Sequence, residues 1–197
     1  MIVRRANLIN YALYQTGWFA CVLGAASHRP WTGFAIAIVL VGVHLVLSVE
    51  RFVELRLIGL AIAVGTVVEI AQIAAGTYRF TSGTVIDALP PPWLLAMWAQ
   101  LATTFRFSLR SVVTRPVPAL LFGAAGGPIA FLAGERLGAV TLLPPLADSL
   151  LRLSVGWAIA LVVFSAAVRR VGRCVSAPKP IARPSTAAAA AGIIGRT

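Results

Sequence analysis

The sequence predicts an all-α membrane protein, a bundle of about six transmembrane helices with one further short interfacial or re-entrant segment. Of its 197 residues, 59% are hydrophobic and only 12% are charged, and the mean hydropathy is +0.88. Soluble domains carry roughly 25% charged residues, so a water-soluble fold of this size would lack polar surface. The apolar residues are also gathered into runs of about 20, the length that spans the hydrocarbon core of a bilayer as a helix.

Six apolar runs approach the length of a spanning helix, and polar or proline residues separate them. They cover residues 8–26, 31–49, 57–76, 89–105, 117–134 and 150–168. A seventh run, residues 137–147, is too short to cross and contains Pro144-Pro145, which interrupt a helix. We therefore predict that this run lies at the membrane interface or re-enters the bundle.

The two ends of the chain are interpreted separately. Asn7, Asn10 and Gln15 interrupt the start of the first run, whereas a cleaved signal peptide has a clean apolar core, so we favour an uncleaved first helix. Residues 1–171 then form one transmembrane domain. Residues 172–197 are rich in Ala, Pro and Arg and predict a disordered cytoplasmic tail, because they include too few large apolar groups to pack.

The basic residues are distributed as they are in membrane proteins. The formal charge is +11, but Lys and Arg fall between apolar runs and in the tail instead of on one face of a domain, so we expect no nucleic-acid partner. With six crossings, thirteen of the seventeen Lys and Arg residues lie on the side of the termini. The other side holds Arg29, Arg79, Arg136 and Arg152. This bias predicts that both termini are cytoplasmic, with membrane lipids as partners.

Glu69 is the clearest ionisable residue within a predicted span. Gly65, Gln72 and Gly76 share its helical face, and such a stripe of small and polar residues faces other helices instead of lipid. A charged carboxylate at this depth costs at least ~2.5–3.5 kcal/mol, so Glu69 is either protonated or paired. A packing hydrogen bond stays open beside a role as proton carrier, acid/base or polar-ligand contact.

His44 and Glu54 are the other candidates for acid/base chemistry. His44 lies in the second run without a second histidine nearby, which favours a buried hydrogen bond over catalysis and gives little support for a metal site. Glu50 and Glu54 stand four residues apart after that run, and paired carboxylates can serve as acid and base or hold a divalent ion. At an interface they are more often solvated or paired with basic residues, here Arg106 or Arg110.

Five further side chains are candidate binding residues because they are polar groups in or beside the predicted spans. They are Gln15, Gln72, Gln100, Thr104 and Arg106. At 1.5 Å per residue, Gln15, His44 and Thr104 each fall roughly 10 Å from the cytoplasmic edge. Glu69 and Gln100 fall near the middle. These depths predict a polar cavity that opens toward the cytoplasm.

Small residues on the fifth run predict a packing surface. Gly123, Gly127 and Gly134 lie on one helical face and form a groove for close helix contact, with a neighbouring helix or in a homo-oligomer. Cys21 and Cys174 have no CxxC spacing and no histidine partner, so we expect neither a metal nor a cofactor. The sequence also lacks the motifs of soluble hydrolases, zinc proteases and nucleotide-binding enzymes.

Three strings of the sequence stand out in combination. They are QTGWF at 15–19, Trp93-(x4)-Trp98 followed by Ala102-Thr103-Thr104-(x3)-Ser108-Leu109, and GGPIAFLAGERLGA at 126–139. With them, residues 7–168 resemble an uncharacterised family of small bacterial inner-membrane proteins, a domain-of-unknown-function family. In relatives the position of Phe131 is often Tyr and that of Glu69 is often Asp, which implies that a carboxylate matters more at position 69 than its length. The resemblance implies no activity, and only a slight preference for envelope lipid.

Three functions stay open. The first, which we favour, is a non-catalytic accessory or small-ligand- or lipid-binding module whose polar residues mostly specify packing. The second is an intramembrane enzyme acting on a lipid or isoprenoid-like substrate, with Glu69 and His44 as acid and base. The third is a small proton-coupled transporter that uses Glu69, which six helices without a detectable repeat make the least favoured.

Overall fold

Seven helices and two short strands make up most of residues 2–176, the part of the chain that this computed structural model describes. In chain order they are α1 (Ile2–Ala26), α2 (Pro30–Leu47), α3 (Arg51–Ala74), β1 (Tyr78–Phe80), α4 (Pro92–Thr103), α5 (Arg110–Val113), α6 (Pro116–Arg136), β2 (Val140–Leu142) and α7 (Leu146–Ser176). Four helices, α2, α3, α6 and α7, are long and apolar enough to cross a membrane. The all-α transmembrane class is confirmed, whereas the count of about six spans is not.

The short helix α4 lies at the centre of the bundle. It packs against α1, α2 and α3, while α7 packs against α3 and α6. Nine of its twelve residues are buried. By contrast, α2 presents Val39 and Val46 outward, 63% and 67% exposed. An apolar exterior around a closely packed interior is the arrangement expected where lipid replaces water as the solvent.

The two ends of the bundle differ in structure. At one, which we call the sheet end (residues 75–91 and 137–145), β1 and β2 pair antiparallel with Tyr78 opposite Leu142. The helices that lead into these strands, α3 and α6, each end just before a glycine with positive φ, Gly76 and Gly138, a common helix stop. At the other, the turn end (residues 48–50 and 104–115), short turns join the helices.

The fourth helix is shorter than the span predicted over residues 89–105. Three consecutive prolines, residues 90–92, delay its start because proline fits only the first turn of a helix. At the other end, the hydroxyls of Thr103 and Thr104 donate to the carbonyls of Gln100 and Leu101, 2.7 and 2.6 Å away. The chain then continues as turns through residue 109.

Other helices extend beyond their predicted bounds, since α1 and α3 each begin six residues earlier than predicted. Helix α7 covers Leu146–Ser176 instead of 150–168, so it includes the first residues assigned to the tail. The predicted disorder of residues 177–197 falls outside the described part of the chain. Of residues 137–147, predicted to be interfacial or re-entrant, 137–145 form strand β2 and its flanking turns and the last two begin α7. The strand forms because Gly138 ends α6 and the backbone of this segment then pairs with β1.

Candidate functional site

An ion cluster occupies the turn end, formed by His44, Glu50, Glu54 and Arg106. Glu54 is fully buried. Its Oε1 accepts from Arg106 at 3.0 Å, and its Oε2 lies 3.2 Å from His44 Nε2. Arg106 also donates to Glu50, whose side chain is one-third exposed. Every oxygen of the buried carboxylate therefore has a partner, which is how a bundle tolerates an ionised group at this depth.

Asn10 joins α1 to the end of α4 beside this cluster. Its amide nitrogen donates to the carbonyl of Thr103 at 3.0 Å, and its amide oxygen accepts from the hydroxyl of Ser108 at 2.8 Å. Both halves of the amide are used, so this residue serves as an interhelical link.

A second polar cluster lies near the sheet end, where Glu69 is fully buried between Tyr78 and Trp98. The indole nitrogen of Trp98 donates to Glu69 Oε1 at 3.0 Å, and the hydroxyl of Tyr78 donates to Oε2. Burial, and then the neighbouring carboxylate, raise the pKa of Tyr78, in β1, well above its ordinary value, so its hydroxyl keeps the proton that it donates. Glu69 thus connects a strand and two helices.

Gln72 belongs to the same end of the bundle but bonds to other partners. Its amide nitrogen donates to the carbonyl of Arg152 on α7, and its amide oxygen accepts from Thr77, both at 2.8 Å. These bonds tie α3 to α7 and to the turn that precedes β1, and both polar groups of the amide are occupied.

The structure does not bring the two predicted acid/base residues together. His44 bonds to Glu54, which precedes Glu69 by fifteen residues on the same helix, α3. Fifteen residues correspond to about 22 Å along a helix. His44 and Glu69 therefore belong to different clusters at opposite ends of the bundle.

An apolar crevice of about 110 Å³ runs between α1 and α6. Helix α4 and Trp157 of α7 form its floor, and Phe80 and Val140 close it at the sheet end. Eight of its lining side chains are aromatic: Tyr14, Trp18, Phe80, Trp93, Trp98, Phe122, Phe131 and Trp157. None of the described residues that line it is charged.

The walls of the crevice do not pack against each other along their lengths. Helix α1 packs on α2 and α4, and α6 packs on α5, α7 and β2. On α6 the wall is built from the small residues Gly126, Ala130 and Gly134. A Cβ atom added at Gly126 would meet only the ring of Phe122, at 3.8 Å. The crevice therefore has free space beside α6.

The predicted glycine groove is filled by α7. A Cβ atom at Gly123 would lie 2.4 Å from the carbonyl oxygen of Trp157, and one at Gly127 would lie 2.4 Å from its Cγ. These two glycines let α6 and α7 approach closely, while Gly134 lines the crevice. An oligomer through this groove stays a prediction.

At the position of the predicted polar cavity, the structure has only a small space, lined by some of the predicted residues. A cavity of about 10 Å³ lies beside His44 and Gln100. Gln15 and Thr104 do not line it, and the hydroxyl of Thr104 bonds within its own helix turn. The side chains at similar depth therefore do not share one solvent-filled space.

Tyr78, Trp98 and Trp157 were not predicted from the sequence as neighbours of the candidate residues. Trp98 and Trp157 stack with centroids 4.5 Å apart, and Tyr78 stacks on Phe131 at 4.6 Å. One signal could have pointed to two of them: a buried carboxylate needs donors, and tyrosine and tryptophan carry a donor on an apolar ring.

Comparison with known proteins identifies a family. The family model described as a protein of unknown function (DUF2878) matches residues 7–163, which confirms the resemblance to an uncharacterised family. No curated protein and no solved structure matches the chain.

Proposed function

The chain belongs to the DUF2878 family, and we propose that it is a non-catalytic membrane protein that binds one apolar chain of a membrane lipid in the crevice between α1 and α6. The observation that supports this most strongly is the crevice itself. It is uncharged, lined by aromatic rings, and bounded by two helices that do not close over it. An apolar ligand fits such a lining, whereas a polar one would lose its hydrogen bonds with water.

Packing, not the hydrophobic effect, would favour the bound state. A lipid tail is already in apolar surroundings in the bilayer, so its transfer into the crevice brings little gain from leaving water. The rings offer instead a dense and rigid surface for dispersion contacts, and ring faces suit flat unsaturated groups. An acyl chain and an isoprenoid chain share this chemistry.

The candidate residues for chemistry lie outside the crevice lining. Both oxygens of Glu69 accept from protein donors, and His44 lies in the ion cluster about 22 Å away along α3. An enzyme that uses both as acid and base on one substrate is therefore the weaker alternative, and a proton-coupled transporter with Glu69 as carrier is weaker still.

We infer further that the chain crosses the membrane six times. Helix α1 has 25 residues, about 37 Å. The buried amide of Asn10 bonds inside the bundle, so its polarity does not oppose insertion. Helix α4 is only about 18 Å long, but Phe105 and Val113 in the turns and short helix that follow are fully buried. Irregular backbone is tolerated at membrane depth where protein surrounds it.

Six crossings place both termini on one side, and the excess of basic residues there favours the cytoplasmic side of a bacterial inner membrane. A reporter that is active only in the cytoplasm, fused after residue 176, should therefore be active. An inactive fusion with an intact membrane domain would contradict this orientation.

Lipid binding can be tested by tryptophan fluorescence, because four of the five tryptophans line the crevice. The fifth, Trp31, is 58% exposed and is best replaced by Phe. In detergent, a lipid with a brominated acyl chain should quench the remaining emission and saturate near one lipid per protein. Unbrominated acyl lipid and a polyisoprenol, added separately, should relieve the quenching according to which chain the crevice prefers.

Two glycine substitutions provide a matched comparison. Gly126→Leu adds a side chain where the structure has free space, so it should fill the crevice and remove the saturable quenching. Gly59→Leu adds the same side chain to another apolar helix at a position with nothing within 4 Å. The brominated lipid should quench the tryptophan emission of this variant as it does in the parent protein. Equal saturable quenching in both variants would contradict the proposed site.

A further inference from the structure

Gln100 carries a buried acceptor without a partner among the described residues. Its side chain is 2% exposed, and its Oε1 makes no hydrogen bond to them. The amide nitrogen only approaches the carbonyl of Ala37, at 3.5 Å. A buried amide oxygen that gives up water needs another donor, because its desolvation is otherwise uncompensated.

A small cavity lies beside this side chain, between α1, α2 and α4. Its polar lining residues are Asn10, Tyr14, His44, Gln100 and Thr103. Its volume of about 10 Å³ is close to the smallest that holds one water molecule. The space is too small for a lipid headgroup, and no described aspartate or glutamate lines it to balance a cation.

We propose that this cavity is a binding site for a single water molecule, which donates a hydrogen bond to Gln100 Oε1. A buried water needs two to four polar partners. Thr103 can accept, because its hydroxyl proton is already directed to the carbonyl of Gln100. His44 offers its second ring nitrogen, since Nε2 faces Glu54.

The bound water would connect the ion cluster at the turn end to the wall of the crevice. His44 connects it to the ion cluster at the turn end. Tyr14 lines both this cavity and the crevice. The water therefore extends the polar network to the wall of the crevice.

The direction in which one substitution changes the unfolding temperature distinguishes a hydrated cavity from a dry one. Gln100→Met keeps the length of the side chain but removes the acceptor. With a bound water, the variant should lose a hydrogen bond and unfold at a temperature roughly 2–4 °C lower, the shift that one ordinary bond produces in a protein of this size. In a dry cavity it would remove an unpaired acceptor, so an unchanged or higher unfolding temperature overturns the proposal.

Radiolytic labelling of the wild-type protein gives a second readout that does not depend on the variant. Hydroxyl radicals formed from bound water label the side chains that touch it. Val41 lines the cavity and is only 8% exposed, so rapid labelling of Val41 is expected from a water held there. Val113 of α5 is fully buried and does not line this cavity, so it is the matched valine control, and labelling of Val41 no faster than that of Val113 overturns the proposal.

Discussion

The bonds to Glu69 predict a specific order of stability for two of its variants. Glu69→Leu would leave the hydroxyl of Tyr78 and the indole N–H of Trp98 buried without an acceptor. Each such donor costs about 1–3 kcal/mol, so the free energy of unfolding should fall by about 2–6 kcal/mol. In Glu69→Gln the amide oxygen can still accept from Trp98, while the amide nitrogen donates to Tyr78, because a hydroxyl can turn to accept. Only the hydroxyl proton of Tyr78 then loses its acceptor, so the free energy of unfolding should fall by about 1–3 kcal/mol.

Thermal unfolding in detergent, followed by tryptophan fluorescence, measures this order. Trp98→Phe provides the control background, because the indole N–H of Trp98 is the donor that keeps its acceptor in Glu69→Gln and loses it in Glu69→Leu. Without that donor, the difference in stability between the two variants should become much smaller. The reasoning would be refuted if Glu69→Leu were as stable as the wild type, or if Glu69→Gln were the less stable of the two. Either result would mean that these donors do not depend on the carboxylate in the folded protein.

Two other substitutions test the packing of α6 and the ion cluster. Gly127→Ala should lower the free energy of unfolding by about 1–3 kcal/mol through overpacking, because its Cβ would lie 2.4 Å from an indole of α7. Gly42→Ala, with nothing within 4 Å, should be neutral or up to about 1 kcal/mol stabilising. Arg106→Met should cost about 3 kcal/mol, the lower end of the range for breaking a buried pair, since Arg106 is partly exposed while Glu54 is fully buried. Glu50→Gln should cost under about 1 kcal/mol, and equal losses in the last two variants would contradict the assignment of Glu54 as the buried partner.

Apolar runs predicted most helices because the bilayer imposes a length that a sequence must satisfy. They could not predict the strands. Tyr78–Phe80 and Val140–Leu142 are three residues each, far apart in the chain, and no turn motif joins them. Their pairing depends on where α3 and α6 end, which is a tertiary property. The start of α4 was predictable in principle from residues 90–92, since consecutive prolines limit a helix to the residues that follow them.

The polar clusters were predictable in their members but not in their grouping. The sequence predicted Arg106 as a possible partner of Glu50 and Glu54, and in the structure its side chain donates to Glu54. Depth along each helix predicted that His44 and Gln100 share a polar cavity open to the cytoplasm, although depth says nothing about rotation around the helix axis. That rotation decides which side chains meet, and here it directs His44 toward Glu54 and leaves only a small space beside Gln100.

The position of Trp98 gives the carboxylate at residue 69 a structural role that requires no acid/base chemistry. The indole of Trp98 lines the crevice, donates its N–H to Glu69 and stacks on Trp157. A Cβ atom at Gly65 would lie 2.4 Å from the same ring, so the ring also rests against the backbone of α3. If the crevice binds a lipid chain, Glu69 is a positioning residue that fixes the orientation of its floor. Glu69→Gln keeps an acceptor for Trp98 and should therefore retain saturable quenching. Glu69→Leu should weaken the quenching, because the indole of Trp98 is then no longer held by a hydrogen bond. Loss of quenching in the Gln variant alone would instead indicate that the charge or proton of Glu69 takes part directly.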